Sequence, residues 1–138
     1  MTIQIPDEIV LNGRTFPLAC FPDLPSEHPD LDTRRQYDPF SAASDCARGY
    51  VATWEIRNQR LFLTGIRGNC HMLVDEPVPA GWFSGMLLVG EGERRPGLPA
   101  FHEPSYDREI RIMVEKGRVV EVWRLDENGK TLLLPGSY

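Results

Sequence analysis

The amino-acid sequence predicts a mostly β protein, either an antiparallel β-sandwich or a partly open barrel of about eight strands, with little helix and two long proline-rich loops. Three observations support this prediction. Several segments alternate apolar and polar residues with a period of two, tight-turn dipeptides separate them, and no helical period lies between them. The 138 residues are a usual length for one domain, so we expect a single β-rich domain spanning residues 1–138.

Two hairpins are predicted in the first half of the chain. Asn12-Gly13 stands between two apolar runs, and both central residues of a type I′ turn need a positive φ, which these residue types tolerate. A second hairpin pairs a strand over 49–56 with a strand over 60–66, around the turn residues 57–59. Four alternating residues are expected to share one face of the first of these strands: Tyr50, Ala52, Trp54 and Ile56. Apolar residues are expected on both faces of this hairpin, which is typical of a central position in a sandwich or barrel.

The second half predicts shorter strands and a meander. Residues 70–74 and the apolar run 86–89 are expected to be strands, and residues 79–83 one helical turn. The turn signals Lys116-Gly117 and Asn128-Gly129 divide the last segment into three antiparallel strands, over 109–115, 119–125 and 131–134.

Two proline-rich segments, 20–44 and 91–107, have no period and are predicted to be long loops. The first should lie against the body of the domain through five apolar anchors: Phe21, Leu24, Leu31, Tyr37 and Phe40.

Charge and composition exclude some partners. The net charge is −5, and residues 19–47 contain six acids but only two bases, the adjacent Arg34 and Arg35. An acidic chain without a basic cluster repels phosphate backbones, so no nucleic-acid partner is expected. No apolar run is long enough to span a bilayer, and the N-terminus lacks a secretory pattern, which predicts a cytoplasmic protein without a membrane partner. The three cysteines, Cys20, Cys46 and Cys70, are then free thiols.

The residue spacing predicts neither a metal nor a cofactor. The histidines His28, His71 and His102 are dozens of residues apart, and no Cys or His pair has the close spacing of a zinc half-site. Ser44-Asp45-Cys46 is similar to the Asp-Cys-Ser-Gly start of small papain-like cell-wall peptidases, which implies a cysteine nucleophile with a distant histidine base. The chain departs from that pattern because a strand, not a helix, is predicted after Arg48-Gly49.

The middle third of the chain resembles a family of small uncharacterised bacterial proteins. The resemblance rests on Gly49-Tyr50-Val51-Ala52-Thr53-Trp54-Glu55-Ile56, on the following Leu61-Phe62-Leu63 strand, and on Trp82-Phe83-Ser84-Gly85. It implies a bacterial origin and a stand-alone domain, and it implies no activity, ligand or catalytic residue.

Three functional hypotheses follow. The preferred one is a non-catalytic protein-binding module, an immunity-type or regulatory factor, whose acidic first loop meets a basic partner surface. Its expected binding residues are Asp30, Asp32, Arg34, Arg35, Trp82 and His102. The second is a small cysteine-dependent hydrolase that uses Cys46 with His71 or His102. The third is a small-ligand-binding β-barrel lined by Trp54, Trp82 and Phe101.

Overall fold

The computed structural model describes residues 6–25, 27–33, 50–68, 70–94, 106–126 and 129–133. Strands make up 67% of these residues and none of them is helical, which confirms the mostly β prediction. In chain order the strands are β1 (Glu8–Leu11), β2 (Arg14–Pro17), β3 (Leu31–Asp32), β4 (Tyr50–Arg57), β5 (Arg60–Gly68), β6 (His71–Met72), β7 (Val78–Pro79), β8 (Gly85–Arg94), β9 (Tyr106–Glu115), β10 (Arg118–Asp126) and β11 (Gly129–Leu133).

Three hairpins form at turns with a left-handed backbone. Asn12-Gly13 joins β1 to β2, Asn58-Gln59 joins β4 to β5, and Lys116-Gly117 joins β9 to β10, all with φ between 48° and 80°. Positive φ at both central residues matches the right-handed twist of the flanking strands. These turns confirm the predicted hairpins. Residues 127–128 lie outside the described residues, but β10 and β11 pair antiparallel as expected from the last turn signal.

Among the described residues, β3 and β6 form a separate ribbon, and the other strands form one sheet in the order β2-β1-β4-β5-β10-β9-β8. In addition, β11 pairs with β10 and β7 pairs with β5. All pairs are antiparallel except β1 and β4, which run parallel with Glu8 opposite Thr53 and Leu11 opposite Ile56. A parallel pair needs a crossover connection of roughly a dozen residues or more, and β1 and β4 are far enough apart in the chain to allow one.

The two ends of the sheet approach each other without closing. Leu18, just after β2, forms an isolated bridge to Val89 of β8, and the amide of Ala19 donates to the carbonyl of Leu88 at 2.6 Å. No strand pairing continues from there within the described residues, so the strands do not close into a barrel.

One face of β4 lies in the interior. Tyr50, Ala52, Trp54 and Ile56, which the alternation predicts to share a face, are all buried. The other strands contribute the rest of the core: Ile9, Leu11, Leu61, Leu63, Val78, Leu87, Val89, Ile110, Ile112, Val114, Val119 and Val122. Leu24 and Leu31 of the first proline-rich segment join this core, which confirms two of its predicted anchors; Tyr37 and Phe40 lie outside the described residues.

A buried acid fastens β4 to the start of β1. Asp7 is fully buried; its Oδ1 accepts the backbone N–H of Ala52 at 3.0 Å and its Oδ2 accepts the indole N–H of Trp54 at 3.1 Å. Its backbone carbonyl accepts the N–H of Leu18 at 2.8 Å. A buried carboxyl group is costly unless it is hydrogen-bonded, and here two donors from β4 meet that requirement.

Two details of the sequence prediction are wrong. Residues 79–83 do not form a helical turn: Pro79 belongs to β7, which pairs with β5, and the amide of Phe83 donates to the carbonyl of Ala80 in a single β-turn. The predicted loop over 91–107 is shorter than expected because β8 and β9 extend into it, pairing Glu91 with Arg108 and Arg94 with Tyr106. Cross-strand pairing here outweighs the turn signals of the glycines.

Gly117 provides a first test of the fold. Its amide donates to Phe83 and its carbonyl accepts from Leu61, and a Cβ at this position would lie 2.9 Å from the carbonyl oxygen of Ala80. Gly13 has nearly the same φ, but a Cβ there meets nothing within 4 Å. We expect Gly13→Ala to lower the free energy of unfolding by about 1 kcal/mol, the cost of left-handed backbone alone, and Gly117→Ala to lower it by about 3 kcal/mol. Urea denaturation measures both, and equal losses would contradict this packing.

Asp7 provides a second test. In Asp7→Asn one side-chain oxygen can still accept from Ala52, but the new amide nitrogen faces the indole N–H of Trp54, donor against donor. We expect the free energy of unfolding to fall by about 1 to 3 kcal/mol. The control is Glu8→Gln, which removes the neighbouring exposed charge and should change stability by less than about 0.5 kcal/mol. Similar unfolding midpoints for the two variants would show that Asp7 does not hold the strands together.

Candidate functional site

Two segments that are distant in sequence, residues 18–33 and 70–84, come together beside the main sheet. β3 and β6 pair antiparallel with Asp32 opposite His71, and the amide of Leu73 donates to the carbonyl of Asp30 at 2.8 Å. We call the surface that these segments carry the acidic face. The acidic face includes the side chains of Asp23, Glu27, His28, Asp30, Asp32, His71, Leu73, Asp75, Glu76 and Trp82.

Prolines and side-chain hydrogen bonds shape the first segment. His28, Pro29, Asp30 and Leu31 form a turn in which the amide of Leu31 donates to the carbonyl of His28 at 3.2 Å, and proline suits its second position. The amide of Asp30 donates to Nδ1 of His28 at 3.1 Å. The hydroxyl of the buried Thr33 donates to the carbonyl of Pro25 at 3.0 Å. The segment is therefore held by its own bonds as well as by the core.

Trp82 joins the two segments to the core. Its indole N–H donates to the carbonyl of Asp23 at 2.9 Å. The ring of His28 lies edge-on to it, with centroids 5.4 Å apart, and the ring of Trp54 lies 6.3 Å away on the core side. Trp82 is half-buried, so it is a fixed aromatic side chain that still reaches the surface.

The acidic face combines an exposed apolar side chain with charges of one sign. Leu73 is 60% exposed, and its neighbours Met72 and Val74 are half-buried. The segments 18–33 and 70–84 contain no Lys or Arg and six acids: Asp23, Glu27, Asp30, Asp32, Asp75 and Glu76. An apolar centre within a polar rim is the usual anatomy of a protein–protein interface.

A second apolar surface has a different electrostatic character. Val120 is 41% exposed and Leu132 is 64% exposed; Leu132 lies opposite the half-buried Trp123. Charges of both signs accompany them on β9 and β10, among them Arg111 and Glu121. This outer surface therefore lacks the uniform negative charge of the acidic face.

Charged side chains also meet at the far end of β8. Glu91 accepts from Arg108 at 3.0 Å and from Arg124 at 3.4 Å, which links three neighbouring strands. Both arginines are nearly half-exposed, and such pairs stabilise a fold by about 1 kcal/mol or less. This cluster lies where β8 and β9 continue to pair, at Glu91 and Arg108.

Cys70 lies buried beneath the acidic face as a free thiol. Burial, and to a smaller extent the negative charge of Asp32, raise the pKa of its thiol from 9.0 to about 11. The neutral thiol is a poor nucleophile. His71, its neighbour in sequence, is exposed, so adjacency does not make these two residues a catalytic pair.

The structure brings together only part of the predicted site. Asp30, Asp32 and Trp82 all belong to the acidic face. Trp54, which the ligand-barrel hypothesis placed in a pocket, lies fully buried in the core and donates to Asp7. The remaining predicted residues lie outside the described residues: Arg34, Arg35, Cys46, Phe101 and His102.

Sequence reasoning missed Leu73, His28 and the acids Asp75 and Glu76 as parts of one surface. The acidity of the first loop was visible in the sequence, but its strand partner was not. β3 and β6 are two residues long each, too short for alternation to mark a pairing.

Within the described residues, no group of three or more His, Cys, Asp or Glu side chains could hold a metal ion. Nor does the described part of the chain contain a helix long and apolar enough to cross a membrane.

No family model matches the chain, and no curated protein or solved structure shows detectable similarity to it.

The raised pKa of Cys70 predicts a pH dependence of stability. The folded thiol holds its proton more tightly than the unfolded thiol, so its contribution is complete below about pH 9 and is lost as the pH rises to about 11. We expect the free energy of unfolding of the wild type to fall across this range by on the order of 2 kcal/mol more than that of Cys70→Ala. Cys20→Ala is the control and should follow the wild type. Parallel curves for wild type and Cys70→Ala would contradict the burial of this thiol.

Proposed function

We propose that the protein is a non-catalytic binding module that recognises a basic surface of another protein through the acidic face, as an immunity-type or regulatory factor of a bacterial cytoplasm. The observation that carries this proposal is the combination of an exposed apolar centre at Leu73 with six acids and no Lys or Arg in the two segments that form the face.

Electrostatics supports a basic partner. These two segments contain six Asp and Glu residues and no Lys or Arg. A surface of one sign speeds encounter with a complementary surface and disfavours partners of like charge. The attraction weakens with added salt because ions screen exposed charges over about 8 to 10 Å.

The exposed apolar side chain of Leu73 supplies binding affinity that charge alone does not supply. Rim charges mainly change association rates, whereas buried apolar and aromatic anchors supply most of the affinity of an interface. Leu73 is free to enter a partner pocket, and Trp82 is held in place by Asp23 and His28. Little conformational entropy would then be lost when a partner covers Trp82.

Point substitutions test this proposal better than deletion of the first loop. Leu24 and Leu31 of that loop are part of the core, and β3 pairs with β6, so a deletion would expose the interior. The triple variant Glu27→Gln, Asp75→Asn and Glu76→Gln instead neutralises three exposed acids of the acidic face.

The matched control is the triple variant Glu8→Gln, Glu115→Gln and Glu121→Gln, which makes the same charge change at exposed positions elsewhere. The tagged wild type, purified from its own cells with identification of co-eluting proteins, should carry one stoichiometric basic partner. We expect the acidic-face triple to bind that partner about tenfold more weakly, which is about 1.4 kcal/mol, and the control triple to bind it like the wild type. A partner lost equally from both triples, or an eluate without a basic partner, contradicts the proposal.

A further inference from the structure

His28 connects three parts of the acidic face. Its backbone carbonyl accepts from Leu31, its Nδ1 accepts from the amide of Asp30, and its ring lies edge-on to Trp82. The imidazole is half-buried. A change in its charge therefore acts on the turn, on the neighbouring strand and on the indole at once.

The hydrogen bond from Asp30 fixes the protonation state of the ring. A backbone amide can only donate, so Nδ1 of His28 must be unprotonated to accept it. In the neutral imidazole the single proton then lies on Nε2. A second proton can be added only at Nδ1, the atom that the amide of Asp30 occupies.

Protonation therefore removes this acceptor. The new N–H of Nδ1 faces the N–H of Asp30, donor against donor, and one of the two must turn away. Asp30 comes directly before β3 and Leu73 directly after β6, and the carbonyl of Asp30 accepts the amide of Leu73. A rearranged turn at Asp30 therefore acts on Leu73 through this hydrogen bond.

We propose that His28 is a pH-sensitive switch in which protonation of Nδ1 releases the Asp30 turn and weakens partner binding by the acidic face. Histidine changes its charge between about pH 5 and 8. The added positive charge also makes the face less negative, so electrostatics and geometry both disfavour a basic partner. The consequence for binding rests on the proposed function, whereas the rearrangement itself does not.

The surrounding charges are almost all acidic. The same segment carries Asp23, Glu27, Asp30 and Asp32, and the segment packed against it carries His71, Asp75 and Glu76, with no Lys or Arg in either. The buried thiol of Cys70 stays neutral throughout this pH range. His71 is the other histidine of these segments, and it serves as the internal control.

Two-dimensional NMR of the ¹⁵N-labelled protein between pH 8 and pH 5 tests the switch without a partner. We expect the backbone amides of Asp30 and Leu73 and the indole N–H of Trp82 to shift along the same titration curve as the imidazole nitrogens of His28. His28→Gln should abolish that shared curve, and His71→Gln should preserve it.

An Asp30 amide that stays in place while His28 titrates would overturn the switch, as would a shared curve that survives in His28→Gln. If His28→Gln fails to fold, the wild type and His71→Gln still test the switch. In both proteins the titration curve of the His28 imidazole can be compared directly with the shift of the Asp30 amide. Failure of the proposed function can be distinguished from failure of the switch. In that case the shared titration curve of His28 and Asp30 would be present, yet no basic partner would co-purify at pH 7.5.

Discussion

The hydrogen bonds of the buried Asp7 carboxyl group are the interaction on which the arrangement depends. They attach β1 to the inner face of β4 through Ala52 and Trp54, at the one parallel pairing among the described strands. Removing a carboxyl group from water costs several kcal/mol, so this contact selects a register in which both oxygens find donors. A shift of β4 by one residue would turn Trp54 away from the core and leave the acid unsatisfied.

The same tryptophan links the core to the acidic face. Trp54 contacts Trp82, and Trp82 is held by the carbonyl of Asp23 and by the edge of His28. An acid that secures the interior thus indirectly positions the aromatic side chain at the surface. These contacts explain how two segments that pair through strands of only two residues each can present a defined surface. They are also the reason why we assign binding to this face and not to the mixed-charge surface of β10 and β11.

Local chemistry made much of the fold predictable. Asn12-Gly13 and Lys116-Gly117 tolerate positive φ, so the hairpins could be predicted from the sequence. The alternation through Tyr50, Ala52 and Trp54 likewise predicted which residues of β4 share a face. The parallel pairing of β1 with β4 could not be predicted, because it joins residues more than 40 positions apart and leaves no local pattern. Asp7 gave no signal either, since an acid beside a strand is usually exposed. Of the site, the acidity of the first loop was predictable; its pairing with the segment that carries Leu73 was not.

The acidic face is the binding surface that we propose, and hydrogen–deuterium exchange of the protein with and without its co-purified partner tests this assignment most directly. Amide exchange reports which backbone segments a partner covers or orders. We expect slower exchange in residues 27–33 and 70–76 when the partner is bound, with β10 and β11 unchanged. Protection confined to β10 and β11, with the two acidic segments unaffected, would contradict it.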